Sequence, residues 1–391
     1  MDAIKGAVKM NKTQSLNETI SNLKSFLQTA WDKSGFEKLT AIQMHTARSI
    51  IEGKDIIAES PTGSGKTLAY LLPLLQQIDP IQKSTQVVIL ASSHELVMQI
   101  HQEVQEWSRD SGIGSATLIG GANVKRQIEK LKKKPHIVIG TPGRMHELIN
   151  QKKLKMHHVK TIVMDEADQL LVPEHLSVIE KIVKSTLSER QVLVFSATLP
   201  ETIQLKAEEL MSSPEVIRVG KEEDVRPHVE YMYLVSEARD KIESLRKLVR
   251  NNEMKALVFV KDISTLSELA EKLDYIGIRA GVLHSNVKKQ ERAKAMKEFR
   301  EGKSELLLAS DVAARGLDIP DITHVIHMDL PKETSQFVHR SGRTGRLGSE
   351  SGAVIAIVTE NEERQLQRFG RQLNLTFSKK ILFKGKLSNG K

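Results

Sequence analysis

The chain has 391 residues, 39% hydrophobic and 27% charged, too long for one comfortable core, so two globular domains are expected. It contains no cysteine, which excludes a disulfide framework and thiolate metal sites, and no apolar run approaches the roughly 18 residues that span a bilayer. A net charge of +9 weakly favours an anionic partner. The first residues, MDAIKGAVKMNKTQS, lack the apolar core of a signal peptide, so the expectation is a cytoplasmic protein with no membrane partner.

Short runs rich in Val and Ile recur along the chain, separated by longer amphipathic stretches. In the first half they are DIIAES, QVVILAS, HIVIGTP, TIVMDEAD and QVLVFSAT; in the second ALVFV, AGVLH, ELLLAS, HVIHMD and GAVIAIVT. Continuous apolar strands between helical stretches point to parallel sheets covered on both faces. The series breaks at a charged stretch around Val219–Tyr231 that contains Pro227. The reading is a short N-terminal extension over 1–20, a first α/β domain over 21–218, a linker over 219–228, a second domain over 229–378 and a basic tail over 379–391. Arg364 to Lys391 contains no Asp or Glu, a pattern that fits either contact with phosphates or a solvated helix and frayed tail. Lys130 to Pro135 reads as the solvated end of a helix, and Trp31 and Trp107 as packing residues. The adjacent His157 and His158 have poor spacing for a metal and read as a surface turn.

DIIAESPTGSGKTLAYLLPLL runs strand, glycine-rich loop, helix, the context of a P-loop. Ser60, Thr62, Gly63, Ser64 and Gly65 form the loop, whose backbone amides can curl toward phosphate oxygens at a helix N-terminus. Lys66 would reach the β- and γ-phosphates of ATP and the Thr67 hydroxyl would ligate Mg²⁺. TIVMDEAD then ends a strand in Asp165, a second candidate for holding Mg²⁺, followed by Glu166, which can polarise an attacking water. An acidic helix N-cap would explain one such residue, but not this box after a P-loop.

Together with further motifs in the same order, these segments resemble the DEAD-box RNA helicases of superfamily 2, over roughly residues 20 to 378. GFEKLTAIQ resembles the Q motif, with Gln43 on the adenine edge. SATL at Ser196–Leu199 resembles the segment that couples hydrolysis to strand separation, with Ser196, Thr198 and Asp168 as coupling residues. GG at Gly120 and Gly121, TPGR with Thr141 and Arg144, and ASDVAARGLDIP with Ser310 and Arg315 resemble contacts to an RNA backbone. HRSGRTGR matches the last motif. It would place His339 as a coupling residue and Arg343 and Arg346 at the γ-phosphate, with Asp318 near the ribose.

The resemblance implies two tandem RecA-like domains, each a mostly parallel sheet flanked by helices, with an ATP cleft between them. It further implies RNA-stimulated ATP hydrolysis and remodelling of short duplexes or RNA–protein complexes, by a monomer, with a ribosomal precursor as one plausible RNA client. Physically, an arginine delivered by a second surface to a transferring phosphoryl group is worth about 10³ to 10⁵ in rate. This explains arginines so far in sequence from the phosphate loop. With aromatic residues at 4%, backbone contacts rather than base stacking should dominate RNA binding.

The chain departs from the family pattern at identifiable places. Where the family has PTREL, this chain has SSHEL, so Ser92 stands at the family's proline, and Ser93 and His94 at its threonine and arginine. Leu39 replaces a proline of the Q motif, Ser310 a threonine, and Lys289 a glutamine, while Arg292 is retained and no aromatic residue stands near Glu18. Two other functions fit parts of the pattern. A DNA-directed motor is disfavoured by the Q-like segment and the literal DEAD box; a nucleotide-insensitive RNA-binding factor is disfavoured by intact Lys66, Asp165, Glu166 and Arg346.

Overall fold

The computed structural model describes residues 22–220, 228–314, 319, 321–345 and 351–389. Arg315, Asp318 and Arg346 lie outside the described residues, as do the expected extension 1–20 and most of the expected linker. The chain divides into two compact units, Met1–Asp224 and Val225–Lys391. No helix among the described residues is long and apolar enough to cross a membrane.

The first unit runs α1 (Ser25–Ser34), α2 (Ala41–Ile51), β1 (Ile56–Glu59), α3 (Lys66–Gln77), β2 (Val87–Leu90), α4 (His94–Trp107), β3 (Ser115–Leu118) and α5 (Val124–Lys132). It continues with β4 (Ile137–Gly140), α6 (Pro142–Asn150), β5 (Thr161–Asp165), α7 (Ala167–Leu170), α8 (Pro173–Lys184), β6 (Gln191–Ser196), α9 (Glu201–Glu208) and β7 (Glu215–Arg218). The seven strands are all parallel, in the order β3-β4-β2-β5-β6-β1-β7.

The period of two along a strand explains how one short apolar run serves two cores. Val87 and Ile89 of β2 face one core while Val88 and Leu90 face the other; Leu193 and Phe195 of β6 alternate with Val192 and Val194 in the same way. The first core takes the apolar stripes of α1 to α4, the second those of α5, α6, α8 and α9. Every residue of β2, β4, β5 and β6 is buried, as a sheet covered on both faces requires. Truncating one of these central side chains, such as Ile139, to Ala costs about 2–5 kcal/mol. Trp31 and Trp107 are buried against each other and against Phe36, a packing role as expected. His157 and His158 lie exposed in a turn.

The second unit repeats the design: β8 (His228–Val235), α10 (Lys241–Arg250), β9 (Ala256–Phe259), α11 (Ile263–Tyr275), β10 (Ala280–Leu283), α12 (Lys289–Arg300) and β11 (Leu306–Ala309). It ends with α13 (Asp311–Ala314), β12 (His324–His327), α14 (Thr334–Ser341), β13 (Ser351–Val358), α15 (Glu360–Leu373), β14 (Ser378–Phe383) and β15 (Lys386–Asn389). Its sheet order is β10-β11-β9-β12-β13-β8-β14-β15, parallel except for the β14–β15 hairpin.

That hairpin corrects the expected basic tail over 379–391. Strand β14 joins β8 in register Ser378↔Met232, and Leu382 and Leu387 turn onto the core that holds Met232 and Leu234. The sequence pattern hides this because β14 opens with Ser378, Lys379 and Lys380 and every second residue along it is exposed. Two of its lysines are also matched by acids from elsewhere in the unit: Lys379 by Glu363 at 3.3 Å and Lys380 by Glu230 at 3.2 Å.

Candidate active site

The topology brings the phosphate loop, the acidic box and the SATL segment to one place. β5, β6 and β1 are consecutive in the sheet, with registers Asp165↔Phe195 and Glu59↔Ser196, so the segments after their C-terminal ends lie side by side. This is the edge where open α/β sheets bind ligands.

At the end of β1 the chain turns through Gly63 (φ 76°) and Gly65 (φ 83°) into α3. A Cβ on Gly65 would lie 2.5 Å from Gln43 Nε2, so the position requires glycine on both conformational and steric grounds. Gln43 is held against the loop: its Nε2 donates to the Gly65 carbonyl (3.2 Å) and its Oε1 accepts from the Thr40 amide (2.9 Å). The Lys66 ammonium folds back onto the Ser60 and Pro61 carbonyls at 2.7 and 3.0 Å. The hydroxyls of Ser60, Thr62 and Ser64 are buried and make no hydrogen bond among the described residues. Buried hydroxyls without partners are costly unless a ligand supplies them. A loop of such donors at the start of a helix, beside an ammonium, fits a phosphate chain.

Asp165 ends β5 with its carboxylate 4% exposed; Tyr70 of α3 donates its hydroxyl to Oδ2 (2.9 Å) and the Glu166 amide donates to Oδ1 (2.9 Å). Burial, and then the neighbouring Glu166 charge, push the Asp165 carboxyl from its usual 3.8 to about 6, while burial holds the Tyr70 hydroxyl well above its usual value. The Lys66 charge and the two hydrogen bonds pull the other way without offsetting that rise. Among the described residues no cluster of three or more His, Cys, Asp or Glu forms a metal cage. A cation such as Mg²⁺ usually takes one or two carboxylates and completes its shell with water and substrate phosphates, and Asp165, close to the phosphate loop, could supply one such carboxylate. Thr67, in the first turn of α3, stands next to Lys66 on the same edge.

Glu166 has a left-handed backbone (φ 54°, ψ 53°) at the N-cap of α7, an unusual conformation for a residue with a Cβ. Its Oε2 accepts a hydrogen bond from the Ser92 hydroxyl at 2.7 Å. The coupling residues expected from sequence are joined directly: Thr198 Oγ1 donates to Asp168 Oδ2 (2.9 Å), and Ser196 Oγ donates to the Thr198 carbonyl (2.7 Å).

The residues expected to meet an RNA backbone sit beyond the other half of the same sheet edge. Gly121 follows β3, Thr141 and Arg144 follow β4, and the SSHEL segment follows β2, which are consecutive strands. Gly121 has a φ of 68°, the Thr141 amide donates to the Leu118 carbonyl (3.0 Å), and Arg144 pairs with Glu147 at 2.9 Å. Ser93 caps α4 by accepting from the Leu96 amide at 3.1 Å.

In the second unit Ser310 follows β11 and is buried. His339 lies in α14, and Arg343, just beyond it, is 7% exposed with Nε on the His339 carbonyl at 3.2 Å. Sequence reasoning overlooked Arg340, the first arginine of HRSGRTGR. It is 3% exposed, pairs with both oxygens of Asp311, caps the Asp329 carbonyl (2.7 Å) and lies over the Phe259 ring. It also overlooked Tyr70, and it marked Ser92 only as a departure from the family pattern, without a partner. Nothing local points to their partners; each acquires its role from a strand or helix distant in sequence.

Residues 40–205 match the DEAD/DEAH box helicase domain, and residues 240–348 match the helicase conserved C-terminal domain. The chain is 53% identical over 368 residues to the probable ATP-dependent RNA helicase YfmL of Bacillus subtilis, covering 94% of this chain and 97% of that protein. It is 49% identical to the DEAD-box ATP-dependent RNA helicase CshC of Bacillus cereus, covering 94% of each. S. cerevisiae Dbp5 bound to RNA and ADP BeF3 superposes with a TM-score of 0.83 at 26% identity, covering 93% of this chain and 95% of that one. With the phosphate loop, the acidic box and both domain matches in one chain, the protein belongs to the DEAD-box family of ATP-dependent RNA helicases.

Proposed function

We propose that the chain couples ATP hydrolysis to local RNA remodelling with the following division of labour. The loop amides, the hydroxyls of Ser60, Thr62 and Ser64, and Lys66 hold the phosphates, with Gln43 on the adenine and Asp318 on the ribose. Thr67 and Asp165 would hold Mg²⁺, which would supply charge neutralisation to the bound phosphates. Glu166 takes the proton of the attacking water. The observation that carries this reading is the set of buried loop hydroxyls, unpartnered among the described residues, beside Lys66 and an Asp165 carboxyl pushed up to about 6.

Arg343 and Arg346 bring positive charge from the second unit to the γ-phosphate, with His339, Asp168, Ser196 and Thr198 linking that event to strand separation. RNA lies along Gly121, Thr141 and Arg144 of the first unit and Ser310 and Arg315 of the second, read through its backbone with little sequence preference. Its clients are short duplexes and RNA–protein complexes of ribosome assembly or RNA turnover, in the cytoplasm.

Arg346→Gln tests the division between units. Nucleotide affinity without RNA should stay within about twofold, while turnover at saturating RNA should fall by about three orders of magnitude or more. Near-normal turnover per folded molecule would overturn the arginine assignment. Comparing ATPase stimulation by a single-stranded RNA and by DNA of the same sequence checks the polymer, and crosslinking in cells identifies the client RNA.

A further inference from the structure

The sheet order places the two functions on opposite halves of one edge. The nucleotide motifs follow β5, β6 and β1, and the RNA-side motifs follow β3, β4 and β2. The halves meet only where β2 runs beside β5, in register Leu90↔Met164. Two residues past that pair, Ser92 comes abreast of Glu166, and its hydroxyl donates to Glu166 Oε2 at 2.7 Å.

We propose that Ser92 is a positioning residue for the Glu166 carboxylate, and that this bond ties the RNA-side loop to the hydrolytic site. The proposal rests on the reading of Glu166 as the group that takes the water's proton. Three features support it. A base needs one oxygen free for the water's proton, and the Ser92 bond occupies Oε2 while leaving Oε1 available. The Glu166 backbone is already turned into the left-handed region, so fixing the side chain as well leaves the carboxylate little freedom. Finally, the adjacent Ser93 is used as the cap of α4, so the two serines divide the work: one holds the helix, the other the glutamate.

The same short loop faces the RNA side. His94 begins α4, and a side chain added at Gly120 would lie 3.5 Å from its Nε2, so the SSHEL loop adjoins the GG loop. The proline that the family carries at this position has no hydroxyl to donate. The link is therefore a property of this chain and of relatives that share its serine.

The test uses the full chain and compares Ser92→Ala, Ser92→Thr and Glu166→Gln, with ATP, Mg²⁺ and a single-stranded RNA. Ser92→Ala should lower RNA-stimulated kcat about tenfold, while KM for ATP, the RNA concentration for half-maximal stimulation and Tm stay within about twofold or a degree or so of wild type. Ser92→Thr keeps a hydroxyl and should recover kcat to within about threefold. A wild-type kcat in Ser92→Ala, with Glu166→Gln inactive, overturns the proposal and leaves the role of Glu166 standing. An active Glu166→Gln overturns that role and the proposal with it. A Ser92→Ala protein that melts lower and is not rescued by threonine shows a packing role, and also overturns it.

Discussion

Asp165 ends a strand and Asp311 follows one, each at the C-terminal edge of the sheet in its own unit, and their surroundings treat them oppositely. Asp311 meets both forks of the Arg340 guanidinium, which is itself buried over Phe259 and capped on a carbonyl. Its charge is matched within the unit. Asp165 has the Tyr70 hydroxyl and one amide on its oxygens, and burial pushes its carboxyl up to about 6. One carboxylate is paired with a cation by the fold; the other is hydrogen-bonded only to neutral donors. A motif arginine or aspartate therefore has no role until its partners are known, and Arg340 of HRSGRTGR finds its partners inside its own unit.

The largest effect expected from this contrast is on turnover. Asp165→Asn and Lys66→Ala should each lower RNA-stimulated ATP hydrolysis by three orders of magnitude or more, about 4 kcal/mol in the barrier, without lowering Tm. A lower Tm in Asp165→Asn would mean that Asp165, like Asp311, is a structural residue.

Arg340→Met should do the reverse. Leaving Asp311 without its partner costs about 3–5 kcal/mol, read as a fall in the melting of the second unit by about 10 °C. Turnover per folded molecule should survive. A stable but inactive Arg340→Met protein would move this arginine to the phosphate site.

The pH dependence sharpens the contrast. Asp165 has a folded pKa of about 6 against an ordinary 3.8, so the folded state binds its proton more tightly than the unfolded state does. The stability it contributes is complete below pH 3.8 and is lost as pH rises through about 6, up to about 3 kcal/mol in all. Asp165→Asn lacks this loss, so its Tm advantage over wild type should grow from pH 4 to pH 7 in the absence of nucleotide and Mg²⁺. A constant difference across that range would show that the carboxyl titrates at its ordinary value.

The smallest effect concerns the hairpin. Removing residues 384–391 deletes β15 and its Leu387 contact, and should cost about 1–2 kcal/mol of stability. With Lys379 and Lys380 paired to Glu363 and Glu230, the slope of log RNA affinity against log salt, about −4 for six phosphates, should change by less than about one. A markedly shallower slope would make the hairpin part of the RNA surface.

Much of this was legible from residue order. The central strands were readable because burial on both faces forces continuous apolar runs such as VVIL, IVIG and QVLVFS. Strands at the sides of the sheets escaped notice: EVIR at the edge strand β7 and SKKILF at β14, next to the edge, bury only part of their surface, so their patterns resemble those of loops. The phosphate loop was legible because glycine, lysine and threonine at that spacing reflect a local constraint, a tight turn into a helix. Tyr70 and Ser92 were not, because a lone tyrosine in a helix or serine after a strand obeys no local constraint.

The sequence by itself determined the two-unit α/β plan, the position of the phosphate loop and the acidic strand end, since each depends on periodicity or on turn chemistry within a few residues. Only the tertiary structure decided which charges are matched and which are left open. Pairing Asp311 with Arg340 spans 29 positions, Tyr70 with Asp165 spans 95, and Ser92 with Glu166 spans 74. Those distances close only when parallel strands align in register and bury the groups together, and burial is what turns an ordinary carboxylate into one that needs a partner.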